Sequence, residues 1–197
     1  MHDPSQRGFV SLLPTTPNLW FHEYDFDRAK YSAQSDPVAA RESVLRALLD
    51  EVAPLYDVVL IDCPPGFSTL TRSALRVVDG VIAPTISEVT SARSLKDFIE
   101  QGLQGTLGWS TLERLQIVVS KHGHTNHQSQ VLDQLRGEYR GRIVPGFIPD
   151  RDQIRIATAI LPGNDRRSYA QKYRRPMFNP VAVDIERVAN PLVQADF

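Results

Sequence analysis

Asp62 carries the most pointed chemistry in this chain. Four apolar residues, Val58 to Ile61, run into it, and Cys63-Pro64-Pro65-Gly66 follows at once. A carboxylate at the end of a buried strand, at a sharp turn, can present its charge to a magnesium-bound phosphate. Magnesium keeps several of its waters and needs few protein ligands, so one such carboxylate suffices. A second apolar run, Val81 to Ala83, comes later and ends in Pro84. Together these predict a nucleotide hydrolase. The plain alternative is an aspartate that only caps the next turn. Pro64 and Pro65 stiffen that turn, and Gly66 permits a positive φ or a close approach.

Other reactive residues suggest less. Cys63 is the single cysteine, which excludes an internal disulfide and any all-cysteine metal cage. Beside Asp62 it reads as a small buried residue, not a nucleophile. His22, His122, His124 and His127 invite a zinc site. His-Gly-His-x-x-His, however, lies in a loop with no cysteine or acidic ligand at suitable spacing, so a solvated loop is the expectation.

The elements that must position Asp62 alternate. Residues 1–18 read as loop and 18–24 as a short strand. Asp36-Pro37 marks a helix start, aspartate as N-cap and proline at the first helical position. That helix runs to Val52, with Val38, Val44, Leu45, Leu48, Leu49 and Val52 on one face. Strand 57–62 follows, near-continuously apolar, as when both faces of a sheet are covered. Then come helix 71–78, with Leu70, Ala74, Leu75 and Val78 inward, strand 81–86, and helix 91–103, using Leu95, Phe98 and Ile99. Strand 116–120, helix 128–139 and strand 143–148 complete the series, the last weakened by its own proline and glycine. Alternating strands and helices imply β-α-β units and a parallel α/β sheet. Residues 162–180 read as irregular, and 181–193 as a terminal helix whose end Pro191 limits.

Composition sets the bounds. At 197 residues, 42% apolar and 23% charged, the chain fits one soluble globular domain or most of a larger one. A net charge of -1 gives no strong overall field, so any nucleic-acid surface must be local. No apolar run approaches the roughly 18 to 20 residues of a membrane helix. The N-terminus lacks the basic-then-apolar pattern of a secretory signal, and the cytoplasm is the expected compartment.

These residues, in this order, resemble a known family. YDVVLIDCPP, then Leu70-Thr71-x-x-Ala74-Leu75, then Asp79 and the strand ending at Pro84, resemble the ParA/MinD group of P-loop ATPases with a deviant Walker motif. The likeness is greatest to the ParA (Soj-type) partition branch. TTPNLWFHEYDFDRAK (15–30), IVVSKHGHTNHQSQVLDQLR (117–136) and GFIPDRDQI (146–154) extend it over about residues 3 to 157. The resemblance implies a three-layer parallel sheet with helices on both faces, ATP and Mg²⁺ as ligands, and a homodimer. It also implies non-specific DNA binding on the nucleoid, a ParB-like activator, and plasmid or chromosome partition as the task. By the same resemblance Asp62 would hold Mg²⁺ through water, and Pro64, Pro65 and Gly66 would form the switch that senses the γ-phosphate. Ser120 would contact adenine and Pro149 would pack against the base. Glu88 would serve the dimer face or be solvated.

The resemblance also implies a DNA surface. Residues 136–175 hold ten Arg or Lys against four Asp or Glu. Arg166, Arg167, Lys172, Arg174 and Arg175 are the densest group. Contacts from them would go to phosphates and carry little sequence information. The bland alternative is a solvated irregular segment, 158–197, that ends in a helix. A MinD-like membrane anchor needs a basic amphipathic terminal helix. Asp184, Glu186 and Asp196 against Arg187 argue against one.

The chain departs from the family at the phosphates. No Gly-x-x-x-x-Gly-Lys-Ser/Thr occurs in its 197 residues, so the backbone cradle and its lysine are absent from them. Met1-His2-Asp3-Pro4-Ser5-Gln6 resembles the family's switch I motif, and Asp3 would be the residue that places the attacking water. The expectation is a single ParA-like domain, 1–197, without the first strand, the P-loop, the first helix and the second strand. Two explanations stay open: a truncated piece of a ParA-type ATPase, or a non-hydrolysing relative that serves as an interaction module. A MinD-like or other cargo-positioning relative is a further alternative. An iron–sulfur carrier ATPase would need a Cys-x-x-Cys pair that this sequence lacks.

Overall fold

The computed structural model describes residues 11–13, 37–64, 66–108, 114–123, 125–152 and 179–193. The expected strand 18–24 and most of the irregular segment 162–180 lie outside them. The chain divides into two compact units, Met1–Val77 and Val78–Phe197.

In the first unit helix α1 spans Pro37–Val52 and passes into a 3₁₀ turn, Ala53–Leu55. Pro54 lies in that turn, where a missing N–H costs nothing. Helix α2 spans Thr69–Leu75 and begins two residues before its expected start. The reason is Ser68, whose hydroxyl accepts a hydrogen bond from the Thr71 N–H at 3.2 Å and so caps the helix. The buried face of α2 is largely hydroxyl: Thr69, Thr71 and Ser73 are buried with Ala74 and Leu75. Ser73 is satisfied by donating to the Thr69 carbonyl at 2.8 Å. Glu42 links the two helices, pairing with Arg46 at 2.9 Å and Arg76 at 3.7 Å. The apolar face of α1 is narrower than its periodicity suggests. Leu45, Leu49 and Val52 are half-buried, but Val44 and Leu48 are exposed.

Residues 57–62 are not a strand. The segment belongs to no ladder among the described residues. Val58 is 66% exposed and Leu60 81%. Apolar β-branched residues favour a strand, but a parallel strand exists only where neighbouring backbones supply its hydrogen bonds. The described part of the first unit is helical and supplies none.

The second unit carries the parallel α/β arrangement. Strands β1, Val81–Ile86, and β2, Leu115–Ser120, pair in parallel, with Val81 beside Leu115 and Ile86 beside Ser120. The side chain of Arg114 donates to the carbonyls of Asp79 and Val78 and so fixes the entry of both strands. The crossover begins as helix α3, Val89–Asp97, and continues as a π-helix, Phe98–Thr106. The Leu107 N–H reaches back five residues to the Gly102 carbonyl. Gly102 and Gly105 weaken the ordinary helix here, which accounts for the change of winding. Leu95, Ile99 and Leu103 point inward.

Helix α4, Asn126–Glu138, is capped by Thr125, which accepts from the Gln128 N–H at 3.2 Å. It buries Val131, Leu132 and Leu135. Along β2 the buried residues Leu115, Ile117 and Val119 share one face. Val118, on the other face, packs with Val144 and Val188, joined by Ile148 and Leu192. Val188 and Leu192 belong to helix α5, Asn179–Val193, which starts inside the segment expected to be irregular. Pro191 lies within the last turn of α5, not beyond its end.

The expected strand 143–148 is an interrupted one. Its backbone follows β2 in parallel through Val144 N–H to Ile117 C=O at 2.9 Å and Ile148 N–H to Val119 C=O at 2.9 Å. Bridges form only at its ends, Ile117 with Ile143 and His122 with Pro149. Pro145 has no N–H to offer, and Gly146 turns at φ +102°. The chain therefore bows out between the bridges.

Candidate functional site

The predicted site residues fall into two groups. In the first unit the apolar run leads to Asp62, which is exposed. Gly66 adopts φ +93°, with open space where a Cβ would stand. Glycine adopts such a left-handed φ at no steric cost. Pro64 is exposed, and Pro65 lies outside the described residues. Cys63 is exposed, which corrects the expectation of a buried side chain. Its thiol is nonetheless crowded. That partial burial first, and then the Asp62 charge, raise its pKa above the ordinary value. A thiol held protonated is a poor nucleophile.

In the second unit the C-terminal ends of β1 and β2 form a polar corner. In open α/β sheets ligands bind outside these strand ends. Ser120 is half-buried, and its hydroxyl donates to the Thr85 carbonyl at 3.3 Å. It thus joins the strand ends while its lone pairs stay available. Lys121 follows at φ 51°, the only non-glycine residue with positive φ among the described ones. The turn sends His122 inward, where it is 3% exposed. Its Nδ1 lies 2.8 Å from Oγ of the wholly buried Ser87, just beyond β1. The ring rests on Phe147 at 4.4 Å between centroids. Pro149 is buried and bridges to His122. The structure therefore brings Ser120, His122 and Pro149 to one end of the sheet. Glu88 is exposed and its side chain does not cap α3.

His122 corrects the histidine expectation. It is a buried, hydrogen-bonded residue, not part of a solvated loop. His127 is exposed on α4, and His124 lies outside the described residues. No cluster of three metal-ligating side chains occurs among the described residues. Sequence reasoning missed Ser87 and His122 as a pair. The only local signal was a polar residue within two positions of the end of each apolar strand. Asp3, Arg166, Arg167, Lys172, Arg174 and Arg175 lie outside the described residues.

Comparison with known proteins gives a consistent set. A family model described as an AAA domain matches residues 6–104, just over half of the chain. The chromosome partitioning protein ParA of Myxococcus xanthus is 26% identical over 152 residues, 74% of this chain and 49% of that protein. The chromosome-partitioning ATPase Soj of Thermus thermophilus is 32% identical over 150 residues, 75% of this chain and 54% of that protein. The cell division protein PomZ of Myxococcus xanthus is 30% identical over 135 residues, 67% of this chain and 42% of that protein. The chain spans about half the length of these curated relatives.

Proposed function

The chain belongs to the ParA/MinD-type P-loop ATPase family and has its α/β fold, and from that premise we propose that it carries the magnesium side and the base side of a partition ATPase. Asp62 holds Mg²⁺ through water, and Pro64, Pro65 and Gly66 form the turn that responds to the γ-phosphate. Ser120 and Pro149 face the adenine. Asp3 places the attacking water. When bound, magnesium neutralises phosphate charge. An exposed carboxylate is the hard oxygen donor that ion takes. The exposed Asp62, followed four residues on by the left-handed Gly66, is the observation that carries this reading.

In the assembled system the ATP-bound form is a homodimer on the nucleoid. Its basic segment, Arg166, Arg167, Lys172, Arg174 and Arg175, meets DNA phosphates, and a ParB-like partner stimulates hydrolysis. Residues 1–197 act as a single domain. The 197-residue polypeptide by itself binds ATP weakly and does not turn it over, because these residues include no Gly-rich phosphate cradle. The second reading is a non-hydrolysing interaction module of the family. Magnesium-dependent phosphate release by the polypeptide tests the first point. No release is expected; turnover that Asp62→Ala abolishes would overturn it. An in-frame Lys-Gly-Gly-x-x-Lys-Thr in the DNA upstream of Met1 would decide between the two readings.

A further inference from the structure

The base-side corner contains a contact that neither the magnesium turn nor the adenine contacts use. Ser87 is 0% exposed, and its Oγ shares a 2.8 Å hydrogen bond with Nδ1 of His122. Ser87 is the first residue after β1, and His122 the second after β2. The backbone of His122 then holds the following loop at two points. Its N–H donates to the Ile148 carbonyl at 3.2 Å, and its carbonyl accepts from the Asp150 N–H at 3.1 Å. Phe147, from the same loop, lies tilted against the imidazole. One residue thus touches the end of β1 through its ring nitrogen and the 147–150 loop through its ring and both backbone groups.

The loop leaves β2 at Pro145-Gly146, where Gly146 turns at φ +102°. It is anchored beyond by Arg151, whose Nε donates to Asp184 on α5 at 2.7 Å. Between hinge and anchor, the residues that would face the base are held against the sheet by His122 and by the Ile148 N–H to Val119 carbonyl bond. A side chain buried to this degree has no access to substrate, so a Ser–His nucleophile pair is excluded. What the pair can do is fix a position.

The geometry points to His122 as a positioning residue: through Ser87 it sets the 147–150 loop, and with it Pro149, against the end of β2. Its effect on a ligand rests on the base-side reading proposed above. Its effect on the loop does not. Replacing His122 by phenylalanine keeps an aromatic ring against Phe147 and orphans a buried hydroxyl. Ser87→Ala removes the hydroxyl. His122→Asn keeps a polar side-chain atom near the place of Nδ1.

The test uses the 197-residue chain and these three variants, with thermal melts to confirm folding. Amide hydrogen exchange is read at Ile148 and Asp150, with Ile117 and Val144 as references. Ser87→Ala and His122→Phe are each expected to speed exchange at Ile148 and Asp150 by about 5- to 10-fold, the effect of removing one buried hydrogen bond. The references are expected to hold, and His122→Asn to restore most of the protection. Unchanged exchange in both variants would overturn the assignment. So would equal acceleration at all four amides, which would make the pair an ordinary core contact.

A parallel NMR titration with millimolar magnesium–ADP and magnesium–tripolyphosphate separates the two levels. Weaker ADP binding with unchanged tripolyphosphate binding in His122→Phe supports both. A loosened loop with unchanged ADP binding keeps the positioning role and sinks the base-side reading.

Discussion

Asp62 and Cys63 stand side by side, and the carboxylate changes the chemistry of the thiol. Partial burial and the Asp62 charge both disfavour the thiolate, so the Cys63 pKa lies above that of an ordinary cysteine. Maleimide labelling at pH 8 is therefore expected to run slower than for a cysteine peptide, whose pKa is about 8.5. Asp62→Asn removes the negative charge, lowers the thiol pKa and should speed labelling a few-fold. The midpoint of the rate-against-pH curve moves down with it. A midpoint that stays put would show that the charge is not felt at the sulfur. At this scale the bend at Gly66 was legible, because a positive φ is a conformation that glycine adopts at no steric cost. The Ser87–His122 pair was not. Its partners lie 35 positions apart, and nothing local marks a hydroxyl and an imidazole as neighbours.

Elements were legible in proportion to how far their partners are local. Helices came through, shifted by a residue or two where Ser68 and Thr125 cap earlier than the apolar pattern begins. Strands β1 and β2 came through because each finds the other. The run 57–62 has an equally apolar sequence and no described ladder, so composition alone misled. The 143–148 segment shows the intermediate case, paired at its ends and interrupted by Pro145 and Gly146. Its far anchor gives a prediction at this scale. Asp184 is buried, and Arg151 lies 2.7 Å from it. Arg151→Ala leaves a carboxylate out of water without its partner, at an expected cost of about 1–3 kcal/mol in urea unfolding. Asp184→Asn keeps an acceptor for the guanidinium and should cost less. Equal stability of Arg151→Ala and the parent chain would show that the pair contributes nothing.

At the scale of the whole molecule the AAA-domain match, 6–104, runs from the first unit into the second. Membership in the family therefore rests on both units. The net charge of -1 leaves DNA affinity to a local surface. If the basic segment supplies it, neutralising Arg166, Arg167, Arg174 and Arg175 together should weaken binding to a mixed-sequence duplex at low salt. Fluorescence anisotropy should also show a flatter dependence on salt, by about 0.9 in the log–log slope for each phosphate no longer neutralised. Unchanged affinity and slope would move the DNA surface elsewhere. Charge and family resemblance made this segment legible as a candidate. Where those side chains point is decided by tertiary packing, which no local pattern encodes.

The run Val58–Ile61, exposed from Val58 to Leu60, has a consequence for handling the protein. Such an apolar row, in no ladder among the described residues, is a template for adding strands from another copy. Asp57 and Asp62 bracket it, and both are exposed. Like-charged residues flanking an adhesive segment act as gatekeepers, because stacking copies would bring their charges together. The carboxylate suited to magnesium is thus also a solubility device. Asp62→Ala should raise light scattering on concentration, while Asp62→Glu, which keeps the charge, should not. A loss of function in the alanine variant alone would then mix colloidal failure with lost metal binding, and the glutamate variant is the control that separates them.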